Sequence, residues 1–108
     1  MLEITPRKVA QIVLMGHELD RAEGELRGFF DRLNEEELTS LVAVMWIGRE
    51  SFEPEDLAQA IQSAKEQATT PTVDYLIGTP HLSDHLENGM EALGISLVDA
   101  EDALIRRG

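Results

Sequence analysis

The chain has 108 residues, 43% hydrophobic and 28% charged, ordinary values for one globular domain over 1–108. It has no cysteine, which excludes disulfides and thiolate metal sites. Twenty-one Asp and Glu against nine Lys and Arg leave a formal net charge of −12; such a field repels nucleic-acid phosphates and anionic membranes and suits a basic partner or plain solubility.

In chain order, Thr5-Pro6 starts the first expected helix, over 5–22, with a capping hydroxyl ahead of proline at the first helical position. Val9, Ile12, Val13 and Leu19 recur along it at helical intervals, with Gly16 on the same face. The weak point Ala22-Glu23-Gly24 ends it, and Leu26, Phe29, Phe30 and Leu33 mark a second helix over 25–33. Asn34-Glu35-Glu36-Glu37 reads as a capping box opening a third helix over 35–47. From Leu41 to Ile47 every side chain of that helix is apolar, so it has to be covered on several sides and is expected at the centre of the fold. Its lone Trp46 can bury on the order of 200 Å².

Gly48 then stops the helix, expected in a left-handed turn, with Arg49 near the terminal carbonyls and Phe52 folded back onto the core. Glu53-Pro54 opens a helix over 54–68 carrying Leu57, Ala60, Ile61 and Ala64. Thr70-Pro71 and Thr79-Pro80 repeat the Thr-Pro start, for helices over 71–77 and 80–93, stopped by Gly78 and Gly94. Ser96-Leu97-Val98-Asp99 starts a last helix over 97–106. No hairpin signal or sustained alternation argues for a sheet. The expected fold is all-α: one compact domain of six or seven short helices around the apolar helix near 35–47.

The longest apolar run, seven residues, is far short of the roughly 20 needed to cross a bilayer. Nor does the N-terminal stretch have the layout of a signal peptide, so a cytoplasmic location is expected. Residues 48–55 do not make an EF-hand, because an arginine and a phenylalanine sit where oxygen ligands are needed and the span is too short.

Three stretches resemble a known family: ITPRKVAQIV, LNEEELTSLVAVMWIGRESFEPEDLAQAI and YLIGTPHLSDHLENGMEALGIS. The pairing of W-aliphatic-G-R with Y-L-aliphatic-G-T-P is similar to the bacterial domain-of-unknown-function 3775 family. HELDRAEGELRGFF is shorter than the acidic segment typical of the family, and His81 and His85 stand where its pattern has apolar or aromatic residues. The resemblance implies a small autonomous helical protein and no assigned activity, cofactor or catalytic residue.

His81 and His85, at i and i+4, have the spacing that lets two imidazoles share a metal, but a third ligand is missing and two ligands alone bind metal weakly, so two partly exposed histidines are the favoured reading. His17 reads as a surface or boundary residue. Tyr75 either lines a pocket with Trp46 or packs its ring in the core with its hydroxyl bonded at the rim. The acidic first turns Glu35-Glu36-Glu37 and Asp99-Glu101-Asp102 complement helix dipoles and need no catalytic role. There is no G-x-S-x-G elbow and no P-loop.

The candidate ligand-binding residues are therefore Trp46, Arg49, Tyr75 and His85, the weak metal candidates His81 and His85, and no catalytic residue or cofactor is expected. The expected role is a non-enzymatic domain that binds a protein partner or itself, as a homo-oligomer, and neither nucleic acid nor membrane. Two alternatives stay open: a metal- or small-molecule-binding enzyme built on His81 and His85, and an acidic regulator of a basic partner.

Overall fold

A computed structural model describes residues 2–17, 19–67 and 72–97. Among them the ordered elements are all helical: α1 (Pro6–Gly16), α2 (Leu19–Asp31), α3 (Glu35–Gly48), a single 3-10 turn (Pro54–Asp56), α4 (Leu57–Glu66), α5 (Thr72–Ile77) and α6 (Leu82–Ala92). α3 packs against α6, α4 and α5, while α1 packs against α2 and α6, and α2 against α5. The expected all-α architecture is the observed one. Thr70-Pro71 and the expected helix over 97–106 fall on or run beyond residues 68–71 and 98–108, outside the described ones; Leu97 itself is buried against the core.

α3 is the inner element. All seven residues from Leu41 to Ile47 are buried, none more than 7% exposed. Their surroundings come from several helices: Val9, Ile12, Val13, Leu26, Phe30, Leu76, Leu86 and Met90 join Leu41, Val42, Val44, Met45 and Trp46 in one apolar cluster. A helix with no polar face is stable in water only inside such a wrapping, because each side chain left outside would forgo roughly 1.5–3 kcal/mol of burial.

Local chemistry sets the starts. The Thr5 hydroxyl accepts from the Lys8 amide at 3.3 Å, and Pro6 occupies the first turn of α1. At α3 the Asn34 side chain accepts from the Glu37 amide at 2.8 Å and Glu37 Oε1 accepts from the Asn34 amide at 3.0 Å, a complete capping box. Glu37 also takes a short ion pair from Lys8, tying α1 to α3. That bond, followed by the Asn34 amide, holds the Glu37 carboxyl below the usual carboxylate range.

A depressed folded-state pKa contributes stability that is complete above the unfolded value and lost as pH falls through the folded one. Glu37→Gln is therefore expected to lower the melting temperature at pH 7. The gap from the parent should close in the acid range, below an ordinary carboxylate pKa of about 4.3. Melting curves at a series of pH values check this, and a gap unchanged by acid contradicts it.

Three expectations about helix ends are corrected. The first break does not fall at Ala22-Glu23-Gly24: α1 ends at Gly16, and α2 runs on through Gly24 and Gly28. Both glycines are exposed with open space around them, so each costs about 1 kcal/mol of helix propensity without breaking the helix. Gly48 does not take the left-handed turn. It is the last residue of α3, and the left-handed residue is Glu50, with φ 66°.

The end of α3 is a Schellman motif around Glu50: the Ser51 amide donates to the Trp46 carbonyl at 2.8 Å and the Glu50 amide to the Ile47 carbonyl at 3.0 Å. Finally, Thr79-Pro80 does not start α6. The Thr79 hydroxyl donates back to the Tyr75 carbonyl at 2.7 Å, closing α5 instead, and α6 begins at Leu82 after a left-handed His81 with φ 58°.

Glycine at 48 has another cause. A Cβ there would lie 1.7 Å from the His85 carbonyl oxygen, and one at Gly89 would lie 2.1 Å from the Val44 carbonyl oxygen. Two glycines, one on each helix, let the backbones of α3 and α6 touch. A third close approach joins α1 to α6: the buried Ser83 hydroxyl donates to the Val13 carbonyl at 2.8 Å, occupying the space a side chain at Gly16 would need.

Candidate functional site

The corner after α3 assembles the aromatic residues. Trp46, 7% exposed, donates its indole N–H to the Tyr75 hydroxyl at 2.9 Å, which satisfies the polar edge of a buried ring. Phe52 folds back and stacks on the indole, ring centroids 5.6 Å apart and planes 19° from parallel. Trp46 and Tyr75 are thus brought together, but by core packing with a bonded hydroxyl. Arg49 caps α3 from the surface and donates from Nε to Ser51 Oγ at 3.1 Å. His85 is half-buried on α6, its main chain pressed against Gly48.

Two clefts lie elsewhere, and none of Trp46, Arg49, Tyr75 and His85 lines either. The first, about 350 Å³, opens between the end of α1 and the α5–α6 corner; Gly16, His17, Thr79, His81, Ser83 and Asp84 are among its walls. The left-handed His81 forms part of its rim. The second, about 530 Å³, runs between the ends of α3 and α6 and carries Glu50, Asn88 and Glu91.

At the mouth of the first cleft three ligand-capable side chains converge. His17, Asp84 and Glu87 each offer a nitrogen or carboxylate oxygen, and these atoms lie within 4.8 Å of one another. His17 Nε2 is 3.3 Å from Glu87 Oε1, and His81 Nδ1 is 3.8 Å from Asp84 Oδ2. Among the described side chains neither carboxylate pairs with a lysine or arginine. His81, which caps α6 rather than standing on it, and His85 do not belong to this group.

Asp84 and Glu87 both stand on α6. Their i, i+3 spacing on α6 was visible; the arrival of His17 beside Glu87, 70 positions earlier, was not. Elsewhere, charge is spent on joining helices. Arg27 pairs with Asp74 between α2 and α5, an interaction that raises the arginine pKa further, and Lys65 reaches Glu36 at 3.6 Å between α4 and α3. No buried side-chain nitrogen or oxygen among the described residues lacks a partner.

No curated protein and no solved structure matches the chain. The profile of the family described as "Protein of unknown function (DUF3775)" matches residues 23–95, from within α2 to just past α6, so that Asp84 and Glu87 fall inside the match and His17 before it. The match spans well over half of the chain and takes in both the WIGR corner and the YLIGTP turn, and the protein belongs to this family.

Proposed function

We propose that the protein is a non-enzymatic interaction domain that recognises a basic protein partner through its acidic surface. The observation that carries this reading is what the outside of the molecule offers. Twenty-one acidic residues oppose nine basic ones, while Leu14 is the one exposed large hydrophobic side chain among the described residues. Recognition by such a surface runs on charge, with fast association and steep salt dependence. The groove between the ends of α3 and α6 presents Glu50 and Glu91 to a basic side chain.

The same charge argues against self-association. Two copies at −12 each repel one another, and Leu14, the one exposed large hydrophobic side chain among the described residues, offsets little of that. Support for a non-enzymatic role comes from the ionisable groups. Among the described residues, Glu37 and Arg27 have displaced pKa values, and both are held in inter-helix ion pairs, where the displacement has a structural cause.

Light scattering across a concentration series is expected to give a constant monomer mass. Affinity for a partner captured from native extract is expected to fall about tenfold or more between roughly 0.05 and 0.2 M salt. Glu50→Gln with Glu91→Gln should weaken it further at low salt. A concentration-dependent dimer, or binding indifferent to salt, contradicts the reading.

A further inference from the structure

We infer that His17, Asp84 and Glu87 form a binding site for one divalent transition-metal ion, held between the end of α1 and the first turns of α6. The ligand set is the first ground. One imidazole nitrogen and two carboxylate oxygens suit a borderline ion such as Zn²⁺, whereas Mg²⁺ and Ca²⁺ favour oxygen-only sets. Three protein ligands leave a fourth position open to water or to a group entering the adjoining cleft.

The second ground is geometry. Ligand atoms on one tetrahedral ion, bonded at about 2.0–2.2 Å, stand roughly 3.3–3.5 Å apart. His17 Nε2 and Glu87 Oε1 already stand at 3.3 Å. Asp84 completes the group from within 4.8 Å, and its exposed side chain is free to close the remainder.

The third ground is the scaffold. The buried Ser83–Val13 hydrogen bond and the close fit of Ser83 over Gly16 fix the end of α1 against α6 immediately beside the ligands. A site whose ligands arrive already positioned loses less entropy on binding. The fourth ground is uncompensated charge. Asp84 and Glu87 are one helical turn apart on the same face, and among the described side chains no lysine or arginine neutralises either. A dication between them removes their mutual repulsion and replaces one His17–Glu87 contact with three metal bonds.

The test is calorimetric titration of the chelator-treated full chain with ZnCl₂, beside the variants His17→Ala, Glu87→Gln and His81→Ala, with melting curves run in parallel. The expected result is one saturable Zn²⁺ per chain, bound at least tenfold more tightly than Mg²⁺ or Ca²⁺, with a rise in melting temperature on loading. His17→Ala and Glu87→Gln each weaken binding by at least tenfold, while their metal-free forms melt within a few degrees of the parent because His17 is exposed and Glu87 only half-buried. His81→Ala leaves the affinity within about twofold.

The inference is overturned by Zn²⁺ binding no tighter than Mg²⁺, by affinity that survives His17→Ala, or by an equal loss in His81→Ala. Any of these would assign the uptake to the acidic surface at large or to other histidines.

Discussion

Gly48→Ala is expected to destabilise the protein by about 3 kcal/mol or more, the upper end of what forced overpacking costs. The substitution is informative because two effects oppose each other in sign. Within a helix, glycine to alanine should gain about 1 kcal/mol of propensity. Here the added methyl would meet the His85 carbonyl oxygen at 1.7 Å and the Gly89 amide nitrogen at 2.9 Å. These are backbone atoms, which cannot rotate away, so α6 must move off α3 along the largest helix contact of the fold. Gly89→Ala should behave likewise, since its methyl would fall 2.1 Å from the Val44 carbonyl oxygen. By contrast, Gly24→Ala and Gly28→Ala, with open space around them, should be neutral or stabilising. Chemical denaturation of the four variants checks the pattern. A stabilised Gly48→Ala would mean that α3 and α6 do not touch as described.

Trp46→Ala is the second large loss, about 3–5 kcal/mol. It removes the largest side chain of the inner helix, the partner of the Phe52 ring and the donor to the Tyr75 hydroxyl together. Tyr75→Phe should cost much less, about 1 kcal/mol, because it deletes one hydrogen bond and leaves the ring packed. The indole N–H, left beside an apolar edge, accounts for most of that cost. If Trp46→Ala melts like the parent, the indole contributes nothing to the core.

These two substitutions also mark what could be read from the chain. Burial of Leu41–Ile47 was legible because seven consecutive apolar residues leave a helix no wet face. The starts at Thr5-Pro6 and Asn34–Glu37 were legible because a cap and the amide that donates to it lie within one turn of sequence. Phe52 lies close enough along the chain for its return to Trp46 to follow from the corner.

What failed depends either on a distant partner or on a choice between two local hydrogen-bond patterns. Gly48 was read as a turn residue, because a glycine after an apolar run fits both a left-handed stop and a close helix crossing. Only the position of α6 separates the two. The actual left-handed residue, Glu50, has no local signature, since its conformation is imposed by the Ser51–Trp46 and Glu50–Ile47 hydrogen bonds. At Thr79-Pro80 the hydroxyl had a choice between α5 behind it and α6 ahead, and it bonds α5. The His17–Asp84–Glu87 group failed for the same reason as Gly48: its members meet across 70 positions of chain.

The single indole lies on a helix wrapped by the others, and with one tryptophan in the chain its burial can be measured by emission. Fluorescence of the native protein, read with a neutral quencher such as acrylamide, is predicted to show short-wavelength emission and weak quenching. Both should change to long-wavelength emission and strong quenching in one cooperative step as guanidinium is added. Native emission already at the unfolded wavelength, with quenching as strong as in the unfolded chain, would contradict the account.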